Sequence, residues 1–136
     1  MAVRVFGCNH IVLEVSDIAK AMEFYMDVFN LEHLNEGEGD AFFKLGNHQF
    51  LALFQSDEPH VDNHRHFGLM VRDDAQVSEV REKITQKYGL KTIPPFRCDF
   101  RDPWGNRIQV VDMHDESTAW IQPYEEVQVV GAELPE

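Results

Sequence analysis

The stretch HIVLEVSDIAKAME, residues 10–23, recurs in outline as HFGLMVRDDAQVSE, residues 66–79. The offset is 56 residues, and six of the fourteen positions are identical: His10 with His66, Leu13 with Leu69, Val15 with Val71, Asp17 with Asp73, Ala19 with Ala75, and Glu23 with Glu79. Each copy opens with an alternating run, the mark of a half-buried strand. In the first, Ile11, Leu13 and Val15 point one way and His10, Val12 and Glu14 the other. In the second, Phe67, Leu69 and Val71 oppose His66, Gly68 and Met70. Asp17 and Asp73 then stand where an N-cap belongs, because a short carboxylate can accept the first unpaired amide hydrogens of a helix. The first helix is expected to bury Ile18, Met22, Tyr25 and Phe29. The second is expected to bury Val77, Val80, Ile84 and Tyr88 and to stop at Gly89.

Short strands follow each helix. Turn residues at 36–40 and 46–47 divide the first set into 32–35, 41–45 and 49–55. Pro94-Pro95 and the turn Asp102-Pro103-Trp104-Gly105-Asn106 divide the second into 90–93, 97–101 and 107–112. The pattern is a duplicated βαβββ module in an α+β fold: module one about 8–55, module two about 64–112, and residues 56–65 between them. One domain over 1–112 is expected, its mixed sheets forming a concave cavity with the helices outside.

Composition sets the outer limits. At 136 residues, 43% hydrophobic and 26% charged, the chain suits one ordinary core. No apolar run reaches the length of a membrane span and the N-terminus is too mixed for a signal peptide, so a cytoplasmic protein is expected. Cys8 and Cys98 form no C-x-x-C motif and are expected to be reduced thiols. The net charge of −12 argues against nucleic acid and anionic membranes as partners. Half of that charge lies in residues 113–136, which hold six acids and no base. They read as an acidic C-terminal extension, either a loose tail or a strap using Trp120, Ile121 and Tyr124.

Strand parity selects the chemistry. His10 and His66 occupy equivalent positions on the faces turned away from the helices. In the last strand Ile108 and Val110 form the apolar set, which leaves Gln109 on the opposite face. Two imidazoles and an amide oxygen from three strands suit a borderline divalent ion: zinc, nickel, manganese or iron. The alternative is a pair of buried, hydrogen-bonded histidines and a satisfied strand glutamine.

The order of a His-led strand, FYMDVFNL at 24–31, a second His-led strand and Asp102-Pro103-Trp104-Gly105-Asn106-Arg107-Ile108 resembles the vicinal oxygen chelate superfamily. That group contains glyoxalase I, fosfomycin-resistance thiol transferases, extradiol dioxygenases and bleomycin-binding proteins. The resemblance covers about residues 8–112. It implies metal ligands at His10, His66 and Gln109, the last where metal-binding members usually carry glutamate. The fourth possible ligand position falls on Ala52, which cannot coordinate. The resemblance also implies a homodimer and a small-molecule substrate.

Other candidates surround this set. Glu14 shares the parity of His10 and is the candidate acid or base; a solvent-facing strand glutamate is the alternative. Phe50, Ala52, Trp104 and Arg101 are candidate pocket residues, with Phe42 and Phe54 as further stacking surfaces. Arg97, Arg101 and Arg107 offer charge to a carboxylate or phosphonate, or else balance Asp99 and Asp102 at the surface. His60 and His64 are expected in a connecting loop, and His33, His48 and His114 at the surface. Two functions fit: a metal-dependent enzyme of the lyase, isomerase or thiol-transfer kind, dioxygenase chemistry fitting less well, or a metal-free small-molecule binding protein of the bleomycin-resistance type.

Overall fold

The computed structural model describes Cys8 and residues 10–47, 49–59 and 64–112. The extension 113–136, with Trp120, Ile121 and Tyr124, lies outside the described residues, as do His48, His60 and His114. The elements run β1 (His10–Val15), α1 (Ile18–Phe29), β2 (His33–Gly37), β3 (Asp40–Leu45), β4 (Gln49–Gln55), β5 (Phe67–Val71), α2 (Asp74–Gln86), β6 (Asp99–Arg101) and β7 (Arg107–Asp112). The described residues fall into two compact units. The first takes those before Asn63 together with Trp104–Asn106, and the second takes the rest. The α+β class and the duplicated module are both borne out.

In the first unit the strand order is β1-β4-β3-β2, with β1 parallel to β4 and the other pairs antiparallel. A parallel pair needs a crossover, and α1 supplies it. Asp17 caps α1 by accepting from the amide of Lys20 at 3.0 Å, and Asn30 ends it in the left-handed region. One face of the sheet, carrying Leu13, Val15, Ala41, Phe43, Leu51 and Leu53, packs against α1. The helix buries Ala21, Phe24, Tyr25 and Val28, while Ile18, Met22 and Phe29 are half-buried. The buried stripe is therefore turned about one residue from the expected one. Ala21 explains the shift, because a small side chain lets the helix approach the sheet although it adds little to a hydrophobic pattern. Each aromatic ring sealed there contributes roughly 2–3 kcal/mol by leaving water.

The second unit repeats the plan with fewer strand residues. Its order is β5-β7-β6, with β5 parallel to β7 and β6 antiparallel. Asp73 caps α2 by accepting from the amide of Gln76 at 3.0 Å, the equivalent of Asp17 one module earlier. Gly89, at φ +64°, lets the amide of Leu90 reach back to the carbonyl of Ile84 at 2.9 Å and close the helix end. Val77, Val80 and Ile84 are buried on the side of α2 that meets the sheet. The expected strand at 90–93 is reduced to one bridge, Thr92 with Phe100. Pro94 and Pro95 lack amide hydrogens, so a ladder cannot continue through them. The next strand accordingly starts at Asp99 rather than at Arg97.

Candidate metal centre

Both sheets have a face without a helix, and every expected ligand belongs to one of them. On the first unit, register places His10 beside Phe50, Val12 beside Ala52 and Glu14 beside Phe54, with Phe42 on the far side of Ala52. The His10 ring stacks on Phe50, centroids 4.8 Å apart and planes 9° from parallel. Phe42 touches the rings of Phe50 and Phe54, each at 6.1 Å. Ala52 is only 1% exposed at the centre of this aromatic floor, while Val12 is 50% and Phe54 40% exposed. Glu14 is four residues along the strand from His10, about 13 Å at the rise of an extended chain. That spacing puts its carboxylate beside Phe54, far from a group held at His10.

On the second unit, Gly68 pairs with Gln109 and Met70 with Val111 across β5 and β7. His66 immediately precedes β5 and continues the parity of Gly68 and Met70. Its Nδ1 lies 2.8 Å from the carbonyl oxygen of His64. A carbonyl oxygen can only accept, so Nδ1 donates, and Nε2 is the acceptor nitrogen of that tautomer. Ligating imidazoles are commonly set in this way, with one nitrogen tied to the backbone so that the other faces the metal. Gln109 is half-buried, and Gly68 leaves the neighbouring position on its face bare.

Asp99 stands opposite Gln109 in register, and Arg101 stands opposite Arg107. Arg107 holds Asp99 through two hydrogen bonds, Nε to Oδ1 at 3.1 Å and Nη2 to Oδ2 at 2.7 Å. Asp99 is fully buried, and its hydrogen bond raises the pKa of the guanidinium above the ordinary arginine value. Arg107 is thus a sheet-face residue locked to a buried acid and not a surface arginine. Arg97 pairs instead with Asp74 at the start of α2.

Trp104 and Asn106 belong to the first unit. Trp104 meets Phe24 edge-on at 6.1 Å, and the Asn106 amide donates to the carbonyl of Glu14 at 3.0 Å. Since Phe24 is a core residue of α1, this ring packs against the helix. His33, expected at the surface, is half-buried edge-on to Phe43, and its Nε2 is a buried atom with no hydrogen-bond partner. The sequence offered Asp99 to these arginines only as a surface partner; its burial against Arg107 and the His33 packing both depend on register.

Among the described residues no group of three or more His, Cys, Asp or Glu side chains forms a metal-holding cluster. The expected donors are two imidazoles and one amide, and the residues present fit a divalent cation by donor chemistry. The His66 hydrogen bond leaves Nε2 as the nitrogen that could accept a cation, the His10 ring stacks on Phe50, and Gln109 carries a neutral amide oxygen.

The model of the Glyoxalase/Bleomycin resistance protein/Dioxygenase superfamily matches residues 7–110. The chain belongs to this superfamily, and the vicinal oxygen chelate resemblance is borne out. It is similar to metallothiol transferase FosB of Staphylococcus epidermidis, 52% identical over 40 residues, which are 29% of this chain and 29% of that protein. It is also similar in structure to the fosfomycin resistance protein FosX of Mesorhizobium loti, with TM-score 0.71 and 18% identity over 88% of this chain and all (100%) of the other. FosX of Listeria monocytogenes, in complex with Mn(II) and sulfate, gives TM-score 0.69 and 20% identity over 88% of this chain and 100% of the other. At such identities the two structural likenesses speak for the fold alone.

Proposed function

We propose that the chain is a metal-dependent enzyme that binds a small oxygenated substrate at His10, His66 and Gln109, with thiol transfer favoured over lyase or isomerase chemistry. The observation that carries this proposal is the His66 ring, whose Nδ1 is engaged by a backbone carbonyl so that Nε2 is the nitrogen available to a cation. Membership of the superfamily supports it, as do a FosB relative described as a metallothiol transferase and a FosX relative seen with Mn(II). A divalent cation, when bound, supplies Lewis-acid polarisation of a substrate oxygen. The chain's own residues hold and orient: the two imidazoles fix the cation's position, and Gln109 adds an oxygen without charge. The Phe42–Phe50–Phe54 floor excludes water beside His10 and receives the hydrocarbon part of the substrate. A homodimer in the cytoplasm belongs to the same proposal.

One observation favours a second assignment. An aromatic floor centred on Ala52 suits stacking of a flat ligand without any metal, as a sequestering protein would require. Metal analysis of protein purified without an affinity tag separates the two. Stoichiometric manganese, zinc, nickel or iron, lost in His66→Ala, together with thiol consumption on addition of an epoxide, supports the enzyme. Metal-free protein that captures a planar ligand tightly supports sequestration.

A further inference from the structure

Gly68 is a strand residue that its own unit does not explain. Glycine weakens a strand interior, because it loses the most conformational freedom on folding and offers no side chain to pack. Elsewhere in the chain the backbone demands it. Gly39 at φ +82° and Gly89 at φ +64° are in the left-handed region, and a Cβ on Gly37 would lie 2.8 Å from Oδ1 of Asp40. Gly68 has neither reason. Its φ is outside the left-handed region, and among the described residues an added Cβ would meet only the backbone oxygen of Gln109, at 3.8 Å, an ordinary contact. It marks no bulge either, since the β5–β7 ladder runs in unbroken register from Phe67 to Val71. In the first copy the equivalent position, 56 residues earlier, is the exposed Val12 of β1. A strand of this module thus accepts a branched side chain there, and what glycine keeps at position 68 is space on the helix-free face.

The space has definite walls, all in the second unit. His66 stands on one side and the exposed Met70 on the other, each roughly 6–7 Å from Gly68 at the rise of a strand. Across the ladder lie Gln109, directly opposite, and Val111 beside Met70. A floor of peptide backbone between an imidazole and a thioether, one side chain deep, suits a flat group, and a thioether is a favourable neighbour for an aromatic ring. Resting on the reading of His66 and Gln109 as metal ligands, we propose that Gly68 is a specificity-determining residue of that site. It keeps open the place where an aryl or conjugated acyl group, attached to the carbon that bears the substrate's metal-held oxygens, lies flat against β5. A side chain at 68 admits small substrates, excludes broad flat ones and leaves the cation alone.

Calorimetry of the full chain loaded with Mn(II) tests this with benzohydroxamate and acetohydroxamate, which share the same pair of chelating oxygens. The wild type is expected to prefer benzohydroxamate by about tenfold. Gly68→Val, which copies the residue of the first module, is expected to bind Mn(II) and acetohydroxamate as the wild type does and to lose about thirtyfold in benzohydroxamate. Gly68→Ala should fall between. Thermal midpoints should hold or rise by about 2–4 °C, since the strand gains a side chain at no steric cost. A lowered midpoint in Gly68→Ala, or matching changes for the two hydroxamates, overturns the inference and leaves the metal reading standing. So does unchanged hydroxamate binding with an altered oligomeric mass, which would give the space to a second chain. Wild-type protein that binds no Mn(II) overturns the metal reading and the inference with it.

Discussion

Arg107 and Asp99 make a two-bond ion pair between β7 and β6, and their burial is uneven: the side chains are 16% and 1% exposed. Removing one partner of such a pair leaves the other charge without compensation in a poorly solvated place. Asp99→Asn is therefore expected to destabilise the fold by about 3 kcal/mol, read as the shift in a urea unfolding midpoint. Asp99→Asn combined with Arg107→Met should recover much of that loss, since neither charge then remains buried. A single-variant cost below about 1 kcal/mol would assign the pair to the weak class of solvated surface bridges. Cys98, one residue before Asp99, carries a second prediction. It is fully buried, and desolvation pushes its thiol pKa up from 9.0 to about 11. The folded state thus holds the thiol proton more tightly than the unfolded chain does. Its stabilising effect is complete below pH 9 and falls as pH rises through about 11, by up to roughly 1.4 kcal/mol per pH unit in between. Unfolding curves of wild type and Cys98→Ala at pH 8, 9.5 and 10.5 check the sign: the wild type should lose stability faster.

At the level of elements, the two caps offer a controlled comparison, because Asp17 and Asp73 make the same 3.0 Å bond at equivalent positions. Asp17→Ala and Asp73→Ala should each cost about 1 kcal/mol, and Asn in either place should restore most of it. Thermal unfolding measures both; a cost confined to one cap would mean that the other helix is held by packing alone. These caps were legible in the sequence, as were β1, β4 and β7, whose bounds match the expected ones. They rest on alternation and capping, which act over a few residues. The lost strand at 90–93 and the rotated stripe of α1 were not legible. One depends on a partner strand that the prolines interrupt, the other on how closely Ala21 lets two elements approach. The candidate site divides in the same way. Parity put His10, His66 and Gln109 on helix-free faces, whereas the stack on Phe50 and the clamp on Asp99 exist only once register is fixed, and the His66 bond only once the chain before β5 has turned back on itself. Glu14 shows the limit of parity, which gives a face and not a distance.

For the whole molecule, a cation that binds the folded chain and not the unfolded one adds stability by mass action. With free Mn(II) near one hundred times the apparent dissociation constant the gain is about 2.7 kcal/mol, a rise of roughly 10 °C in the midpoint for a chain of this size. The rise itself would follow from binding anywhere on an acidic surface, so the variants carry the information. His10 lies in the first unit, His66 and Gln109 in the second. If one cation is shared by all three, His10→Ala and His66→Ala each abolish the whole rise, and the double variant does no worse than either. Independent sites on the two units would instead give partial losses that add. Differential scanning fluorimetry of the four proteins, repeated in 0.5 M sodium chloride to screen loose surface binding, distinguishes these patterns. Full loss in each single variant is the result that the proposed three-ligand site requires.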